Sequence, residues 1–218
     1  MKKFSLGFIT TSLIATTLIM RSPIAQATDV HQSPIQNVNE QGLNLSSQYE
    51  PKAMTITDEN GQVLYDYHGE TSSDPASITK LMTLYLTLDA LNNGKISKDQ
   101  KIKITSDYEK ISALPNLSTV KLKKGQTYTI DDIMKQVSLA SSNPATLILG
   151  EEIDGSISKF TDRMNEKAKK LGMNHTHFTN PSGASNDLLK SYEPKKYKDE
   201  TKTKTTSQDI SLLIHSLL

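Results

Sequence analysis

Residues 74–91 read Asp-Pro-Ala-Ser-Ile-Thr-Lys-Leu-Met-Thr-Leu-Tyr-Leu-Thr-Leu-Asp-Ala-Leu, and this stretch decides the fold. A polar approach, 74–76, leads into a helix predicted over 77–91. Apolar residues lie on nearly every face of that helix, which predicts that it is buried rather than amphipathic. Gly94 is expected to end it.

The predicted helix begins with S-x-x-K, at Ser77 and Lys80. Residues three apart share one face of a helix, so the Lys80 amine can reach the Ser77 hydroxyl. Serine needs an adjacent base to become a nucleophile. A lysine can be that base if burial and cationic neighbours lower its pKa. The four residues alone favour the alternative, a helix N-cap role for Ser77.

The sequence holds two further copies of S-x-x-K. Residues 118–121 lie in a strand-like segment, where positions three apart point to opposite faces. Residues 156–159 open a polar helix, where Ser156 is expected to be an N-cap. Chemistry is favoured at Ser77 because its helix is the most apolar in the chain and because a second motif follows.

The second motif is Ser141-Ser142-Asn143, the only S-x-N in the sequence. It is predicted to lie in a break between two helices, where hydroxyl and amide can face a cleft. The hydroxyl can relay a proton, and the amide can both donate to and accept from a peptide substrate. Ordinary turn chemistry is the alternative.

In this order the two motifs resemble those of the serine penicillin-recognising enzymes, whose signature is S-x-x-K, then S-x-N or S-D-N, then K-T-G. The closer resemblance is to the low-molecular-mass penicillin-binding proteins, the exported D-alanyl-D-alanine carboxypeptidases. Residues 74–80 match their Asp/Asn-Pro-Ala-Ser-x-Thr-Lys run, and 173–183 match their M-x-x-T-x-F-x-N-P-x-G segment. His175 and His177 are spacer positions in that segment, so neither is interpreted as a metal ligand or base.

The resemblance implies a role for each site residue. Ser77 would be the acylated nucleophile, and its backbone N–H an oxyanion donor. Lys80 would be the general base, Ser141 would pass a proton to the departing D-alanine, and Asn143 would hold the substrate amide. The implied partners are peptidoglycan stem peptides ending in D-Ala-D-Ala and β-lactam antibiotics, with no cofactor and no metal. The implied fold is α+β, the serine β-lactamase/penicillin-binding-protein-like transpeptidase fold, in which helices pack on a five-stranded antiparallel sheet.

The third motif, K-T-G, is absent from the 218 residues, and Gly183 is the last glycine. Lys202-Thr203 and Lys204-Thr205 lack the following glycine. Since the resemblance places K-T-G on a later strand, residues 28–218 are expected to be the N-terminal portion of a longer enzyme, with the helical part and one hairpin. Such a hairpin has an open edge and exposed apolar surface, so the isolated chain is expected to fold poorly and to be inactive.

Residues 1–27 are predicted to be a secretory signal peptide. Lys2 and Lys3 precede an apolar run over 4–20, and Ala25-Gln26-Ala27 is an A-x-A cleavage site. An N-terminal membrane anchor is the alternative. Cleavage removes three of the 25 basic residues and none of the 24 acidic ones, leaving a net charge of −2. The protein is therefore expected to be secreted across the cytoplasmic membrane into the cell envelope.

The remaining elements follow from periodicity and turn residues. Strands or strand-like pieces are predicted over 53–57, 62–67, 101–105 and 119–122, and an extended piece over 178–183. Helices are predicted over 130–138, 144–153 and 156–171, and from 207. Flexible or loop segments are predicted over 29–44 and 185–206.

Other functions remain as alternatives. A β-lactamase commonly needs a water-activating glutamate in E-x-x-L-N, and no such run follows Asn143. Carboxypeptidase or transpeptidase chemistry is therefore favoured, and the motifs do not separate the two. A non-catalytic, exported cell-wall binding module is the rival from another class. Binding to nucleic acid is disfavoured by export and by the near-neutral charge. The absence of cysteine excludes a disulfide scaffold and a thiol nucleophile.

Overall fold

The computed structural model describes residues 32–218, so the predicted signal peptide lies outside the described residues. Those residues form eight α-helices and four short strands. In chain order these are α1 (Pro34–Glu40), β1 (Met54–Thr57), β2 (Val63–Tyr67), α2 (Lys80–Asn92), β3 (Lys101–Lys103), α3 (Ser106–Ser112), β4 (Thr127–Thr129), α4 (Ile130–Ala140), α5 (Asn143–Asp154), α6 (Ile157–Lys170), α7 (Asn186–Leu189) and α8 (Ser207–His215).

Helix α5 is the centre of the core. The Ser142 hydroxyl accepts a hydrogen bond from the Ala145 N–H and so caps its first turn. Every residue over 143–150 is buried, and the helix packs against α2, α3, α4 and α6. A Cβ on Gly150 would lie 3.2 Å from carbons of Phe160. The glycine therefore lets α6 approach α5 closely. The predicted helix over 144–153 is confirmed by α5.

Helix α2 lies against α5, and a 3₁₀ turn, Ala76–Thr79, precedes it. Its buried face includes Met82, Leu86 and Ala90, none more than 2 % exposed. Thr83 and Thr87 are also fully buried, and the Thr87 hydroxyl donates to the Thr83 carbonyl at 2.7 Å. The prediction of a buried rather than amphipathic helix is confirmed.

The predicted hairpin is also confirmed, as β1 and β2. The two strands pair antiparallel, with Met54 opposite Tyr67 and Thr57 opposite Val63. The Asp58 carboxylate shapes the turn by accepting from the N–H groups of Asn60 and Gln62. Strands β3 and β4 form a second antiparallel pair. Helices with small antiparallel sheets make the described chain α+β, as predicted.

Apolar side chains are exposed on the hairpin and beside it. Ile56 on β1 and Leu64 on β2 are 48 % and 61 % exposed, and Ile214 on α8 is 46 % exposed. The exposure of these side chains agrees with the expected exposure of apolar surface at the hairpin. Poor folding of the isolated chain stays a prediction. Within residues 32–218 no helix is long and apolar enough to cross a membrane.

The strand-like prediction over 119–122 is wrong. The backbone there makes contacts with a helix end instead of a strand. The Leu122 N–H donates to the Ser112 hydroxyl at 3.0 Å, and the Thr119 hydroxyl donates to the Ser112 carbonyl at 3.2 Å. The strand that pairs with β3 is β4, which lies just before α4.

The flexible leader predicted over 29–44 is wrong for 34–40, which form α1. Ser33 and Gln36 form a capping box, with Pro34 at the first helical position. The Tyr65 hydroxyl on β2 donates to the Gln32 carbonyl at 2.9 Å. Local capping and this contact order a segment whose composition is polar.

The predicted extended piece and loop over 178–206 are corrected in part. The segment after Phe178 folds into a buried turn rather than a strand, and 185–206 contain α7 and two 3₁₀ turns. The lysines over 195–204 are exposed, whereas Tyr197 and Thr203 between them are buried. Side chains take up several backbone hydrogen bonds in this region, as Asn180 does for the N–H groups of Ser182 and Gly183.

We predict that Phe160→Ala lowers the free energy of unfolding by about 3–5 kcal/mol, because the ring is fully buried against α5. Urea unfolding followed by circular dichroism measures the change. Leu139→Ala is the matched control, since Leu139 is 85 % exposed and its truncation should change stability by less than about 0.5 kcal/mol. Equal effects of the two substitutions would contradict the core assignment.

Candidate active site

Ser77 and Lys80 form a hydrogen-bonded pair at the start of α2. The Lys80 Nζ donates to the Ser77 Oγ at 3.0 Å. Ser77 lies in the 3₁₀ turn and does not cap a helix, since no side-chain cap is present at that turn or at the start of α2. The serine is exposed, whereas Lys80 is only 4 % exposed. The arrangement gives an accessible hydroxyl beside a desolvated amine.

Burial lowers the pKa of Lys80 from 10.5 to about 8. The second expected cause, cationic neighbours, does not contribute. An amine with a pKa near 8 is uncharged in a substantial fraction of molecules at neutral to mildly alkaline pH, and an uncharged amine can accept a proton from serine.

The other two S-x-x-K copies have no such environment. The Ser156 hydroxyl accepts from the Lys159 backbone N–H at 3.2 Å and caps α6, as predicted. Lys159 is exposed, and so is Lys121 of the third copy. Burial of the lysine therefore separates the candidate site from the two copies.

Lys80 has a second hydrogen-bond partner that sequence reasoning missed. Its Nζ donates to the backbone carbonyl of Ser182 at 2.8 Å, a fully buried contact. The Thr83 hydroxyl, one turn further along α2, donates to the Pro181 carbonyl at 2.7 Å. The turn over 180–183, which we call the NPSG turn, therefore lies directly on the first turns of α2. Its only sequence signal is the N-P-x-G run itself.

Three chain segments pair beside one another and support the site. They are the stretch at Ser73, residues 177–179 and residues 203–205, which together we call the ribbon. Ser73 exchanges two backbone hydrogen bonds with Thr205, and His177 exchanges two with Lys204. The Thr203 hydroxyl accepts from the Thr179 N–H at 3.1 Å. In the sequence, the stretch over 202–205 stands out only because no glycine follows its Lys-Thr pairs. In the structure, this stretch joins the chain leading to Ser77 to the chain leading to the NPSG turn.

Ser141 and Asn143 lie where predicted, at the junction of α4 and α5. Ser141 ends α4 with a φ of +51°, in the left-handed region. The Asn143 backbone N–H donates to the Ser118 carbonyl at 2.8 Å. Within residues 32–218 no hydrogen bond joins either side chain to Ser77 or Lys80. The structure thus assembles the first pair, and the roles of Ser141 and Asn143 stay predictions.

The two histidines make contacts of other kinds. His177 Nε2 lies 2.6 Å from a carboxylate oxygen of Glu200, with both side chains about half exposed. The His175 backbone N–H donates to the buried Asp209 carboxylate at 2.8 Å. In the described part of the chain, no group of three or more histidine, aspartate or glutamate side chains is placed to hold a metal ion.

Solved structures with the same architecture define the class. A peptidoglycan synthesis regulatory factor (PBP3) from Streptococcus pneumoniae matches with a TM-score of 0.72 and 26 % identity, over 76 % of this chain and 46 % of that one. Penicillin-binding protein D2 from Listeria monocytogenes, in its cefotaxime-bound form, matches with a TM-score of 0.63 and 27 % identity, over 80 % of this chain and 64 % of that one. The fold is that of the penicillin-binding proteins.

Within that class the chain belongs to the D-alanyl-D-alanine carboxypeptidase family, whose model matches residues 38–218. It is 36 % identical to the carboxypeptidase DacF of Bacillus subtilis over 62 % of this chain and 34 % of the relative. It is 34 % identical to DacC of Escherichia coli over 57 % of this chain and 32 % of the relative. The matched part spans about a third of the length of these relatives.

We predict that the Lys80 amine titrates near pH 8 in the folded chain and near 10.5 in the chain unfolded in urea. The folded chain releases the proton first, so between these values the unfolded state binds more protons and folding becomes more favourable as pH rises. Amine-selective acylation as a function of pH, read by peptide mass spectrometry, measures the titration. Identical midpoints in the two states would contradict a desolvated amine.

We predict that Gly183→Ala lowers the free energy of unfolding by at least about 2 kcal/mol. Its Cβ would lie 1.9 Å from the Ala76 carbonyl oxygen, and Gly183 has a φ of +74°. Gly125→Ala is the matched control, because Gly125 has a φ of +85° and open space around the Cβ. Thermal unfolding of both variants separates the steric contact from the backbone conformation. An equal loss in the two variants would show that the contact with Ala76 is unimportant.

Proposed function

We propose that this chain carries the acylation site of an exported serine-type D-alanyl-D-alanine carboxypeptidase or transpeptidase that acts on peptidoglycan stem peptides. The observation that carries the proposal is the 3.0 Å contact between the buried Lys80 amine and the exposed Ser77 hydroxyl. Membership of the carboxypeptidase family supports the substrate class. Export is proposed from the signal-peptide features of residues 1–27.

The proposed reaction proceeds through an ester at Ser77. Uncharged Lys80 takes the Ser77 proton while Oγ attacks the carbonyl carbon of the penultimate D-alanine. The peptide C–N bond breaks, and the terminal D-alanine leaves after receiving a proton through Ser141. Asn143 holds the substrate amide. Water, or an amine in transpeptidation, then takes the acyl group and restores the serine.

β-Lactams are proposed to acylate the same serine. Penicillin-binding protein D2 of Listeria monocytogenes, 27 % and 28 % identical to this chain in the two structures, has been solved in cefotaxime-bound and ampicillin-bound forms. Attack by Ser77 on the β-lactam carbonyl opens the ring, and the ring nitrogen takes the proton. The opened ring stays attached through the acyl group, so no leaving group departs.

We propose slow acylation in place of the expected inactivity of the isolated chain. Contacts among residues 73–83, 177–183 and 203–205 assemble the Ser77–Lys80 pair without any K-T-G motif. In the family that the sequence resembles, the K-T-G lysine and hydroxyl bind the substrate carboxylate, and the K-T-G strand supplies the second oxyanion N–H. The 218 residues lack this motif. Removing one oxyanion donor costs about 10²–10³-fold in rate. Acylation of this chain is therefore proposed to be slow rather than absent.

We predict that the 218-residue chain incubated with benzylpenicillin gains the mass of one penicillin at Ser77, about 10²–10³-fold more slowly than DacF of Bacillus subtilis. Intact mass spectrometry over time measures the adduct. Ser77→Ala should abolish it, and Ser156→Ala should leave it unchanged, because Ser156 is only a helix cap.

The absence of any adduct on a folded chain would contradict acylation at Ser77 and leave the expectation of inactivity in place. In that case, unchanged muropeptide binding by Ser77→Ala would favour the cell-wall binding module. Steady turnover of nitrocefin, in place of a long-lived adduct, would favour a β-lactamase.

A further inference from the structure

The NPSG turn is a polar segment in the interior of the protein. Asn180 and Ser182 are fully buried, as is Thr179 just before them. Buried polar groups are unfavourable unless they are hydrogen-bonded. The family resemblance assigns no role to this turn, whereas its buried polar contacts indicate one.

One side chain organises the turn. The Asn180 Oδ1 accepts from the Ser182 N–H at 2.8 Å, from the Ser182 hydroxyl at 2.7 Å and from the Gly183 N–H at 2.9 Å. Its Nδ2 donates to the Ala184 carbonyl at 2.7 Å and to the Asn186 Oδ1 at 2.8 Å. Both amide hydrogens and the amide oxygen are therefore used.

Asn180 and Lys80 bind opposite ends of the same peptide unit. The N–H of Gly183 and the C=O of Ser182 belong to one peptide group. In a planar trans peptide these two bonds point in opposite directions. Because Asn180 accepts from the N–H, the carbonyl is aimed away from Asn180, and there it accepts from the Lys80 Nζ at 2.8 Å.

The Asn180 side chain is held in place by its hydrogen bond to Asn186. The Asn186 Nδ2 donates to the carbonyls of Tyr197 and Glu200, at 2.8 and 2.7 Å. Its Oδ1 accepts from Asn180. The Thr83 hydroxyl holds the turn from the α2 side through the Pro181 carbonyl. A continuous chain of hydrogen bonds therefore runs from the loop around 197–200 to the Lys80 amine.

We propose that Asn180 is a positioning residue for Lys80, acting by orienting the Ser182–Gly183 peptide so that its carbonyl holds the amine against the Ser77 hydroxyl. The catalytic meaning of this role rests on the proposed function, in which Lys80 activates Ser77. Asn180 touches neither Ser77 nor any reacting atom, and acts only through the peptide. The placement of the amine by Asn180 can be tested whether or not the chain acylates.

The first test follows the unsubstituted chain, with Lys80→Met as its control. The Gly183 amide and the Ser182 carbonyl share one peptide group, so we expect the Gly183 amide resonance to shift as pH rises through about 8, the midpoint of Lys80. Two-dimensional nuclear magnetic resonance of the labelled chain measures it. Lys80→Met should abolish the titration of this resonance. A Gly183 resonance that does not move through this pH range would overturn the proposal.

The second test is Asn180→Ala. Without the Asn180 oxygen the peptide loses its orientation and water enters beside Lys80, so we expect the Lys80 midpoint to rise from about 8 toward 10.5. The pH profile of penicillin acylation should move in the same direction, with a rate about 10²-fold lower near neutral pH. Unchanged midpoint and profile in a folded variant would overturn the proposal.

Two matched controls separate positioning from general stability. Asn165→Ala removes an amide that bonds both backbone groups of Phe178, at the start of the same segment. It should destabilise the fold and leave the Lys80 midpoint near 8. Ser182→Ala removes a hydroxyl from the turn and keeps both ends of the oriented peptide, so it too should leave the midpoint unchanged. A midpoint shift in either control equal to that of Asn180→Ala would overturn the proposal.

Failure of the proposed function gives a combination of results that differs from failure of the proposal for Asn180. If the Gly183 and Lys80 titrations follow these expectations and no penicillin adduct forms on the wild-type chain, acylation at Ser77 is contradicted, while the role of Asn180 in placing the amine stands.

Discussion

The candidate site depends on one constraint, a lysine amine that is buried with no acidic partner among residues 32–218. Lys80 is 4 % exposed, and its amine donates to the Ser77 hydroxyl and to the Ser182 carbonyl. A charged amine in such a place is unfavourable, and release of its proton removes most of that cost. The packing that buries Lys80 is therefore also what lowers the pKa of its amine, as the proposed role of a base requires. A carboxylate beside the amine would stabilise the proton and weaken that base.

Backbone conformation is unusual at both predicted motifs. Ala76, just before Ser77, has a φ of +45°, and Ser141 has a φ of +51°. Such values are uncommon for residues other than glycine and persist only where surrounding contacts hold them. For Ala76 the Asp74 carboxylate accepts from its N–H at 2.9 Å. At Ser141 the capped start of α5 follows at once. The two predicted motifs thus coincide with two strained turns.

Local signals in the sequence predicted much of the fold. The turn at Asp58–Gly61, the apolar helix after Ser77 and the glycine that follows this helix, Gly94, are all short-range features. Helix α1 was missed because its local capping box lies in a polar segment, and the other failures lie where side chains bind the backbone. The stretch over 119–122 is held by Ser112, and the NPSG turn by Asn180 and Thr83. Neither interaction leaves a periodic pattern. The motifs predicted the Ser77–Lys80 pair, but they gave no indication of the carbonyl that completes the lysine's surroundings.

The three S-x-x-K copies show why a short motif cannot by itself define a base. At Ser156 the same spacing produces a helix cap and an exposed lysine. At Ser77 it produces a hydrogen-bonded pair with a buried lysine, because a turn 102 residues away in the chain covers Lys80 and accepts from its amine. The NPSG turn is held beside α2 by the ribbon, in which backbone hydrogen bonds join Ser73 to Thr205 and Lys204 to His177. The lowered pKa of Lys80 is therefore a tertiary property, because it comes from burial that involves a segment distant in the sequence.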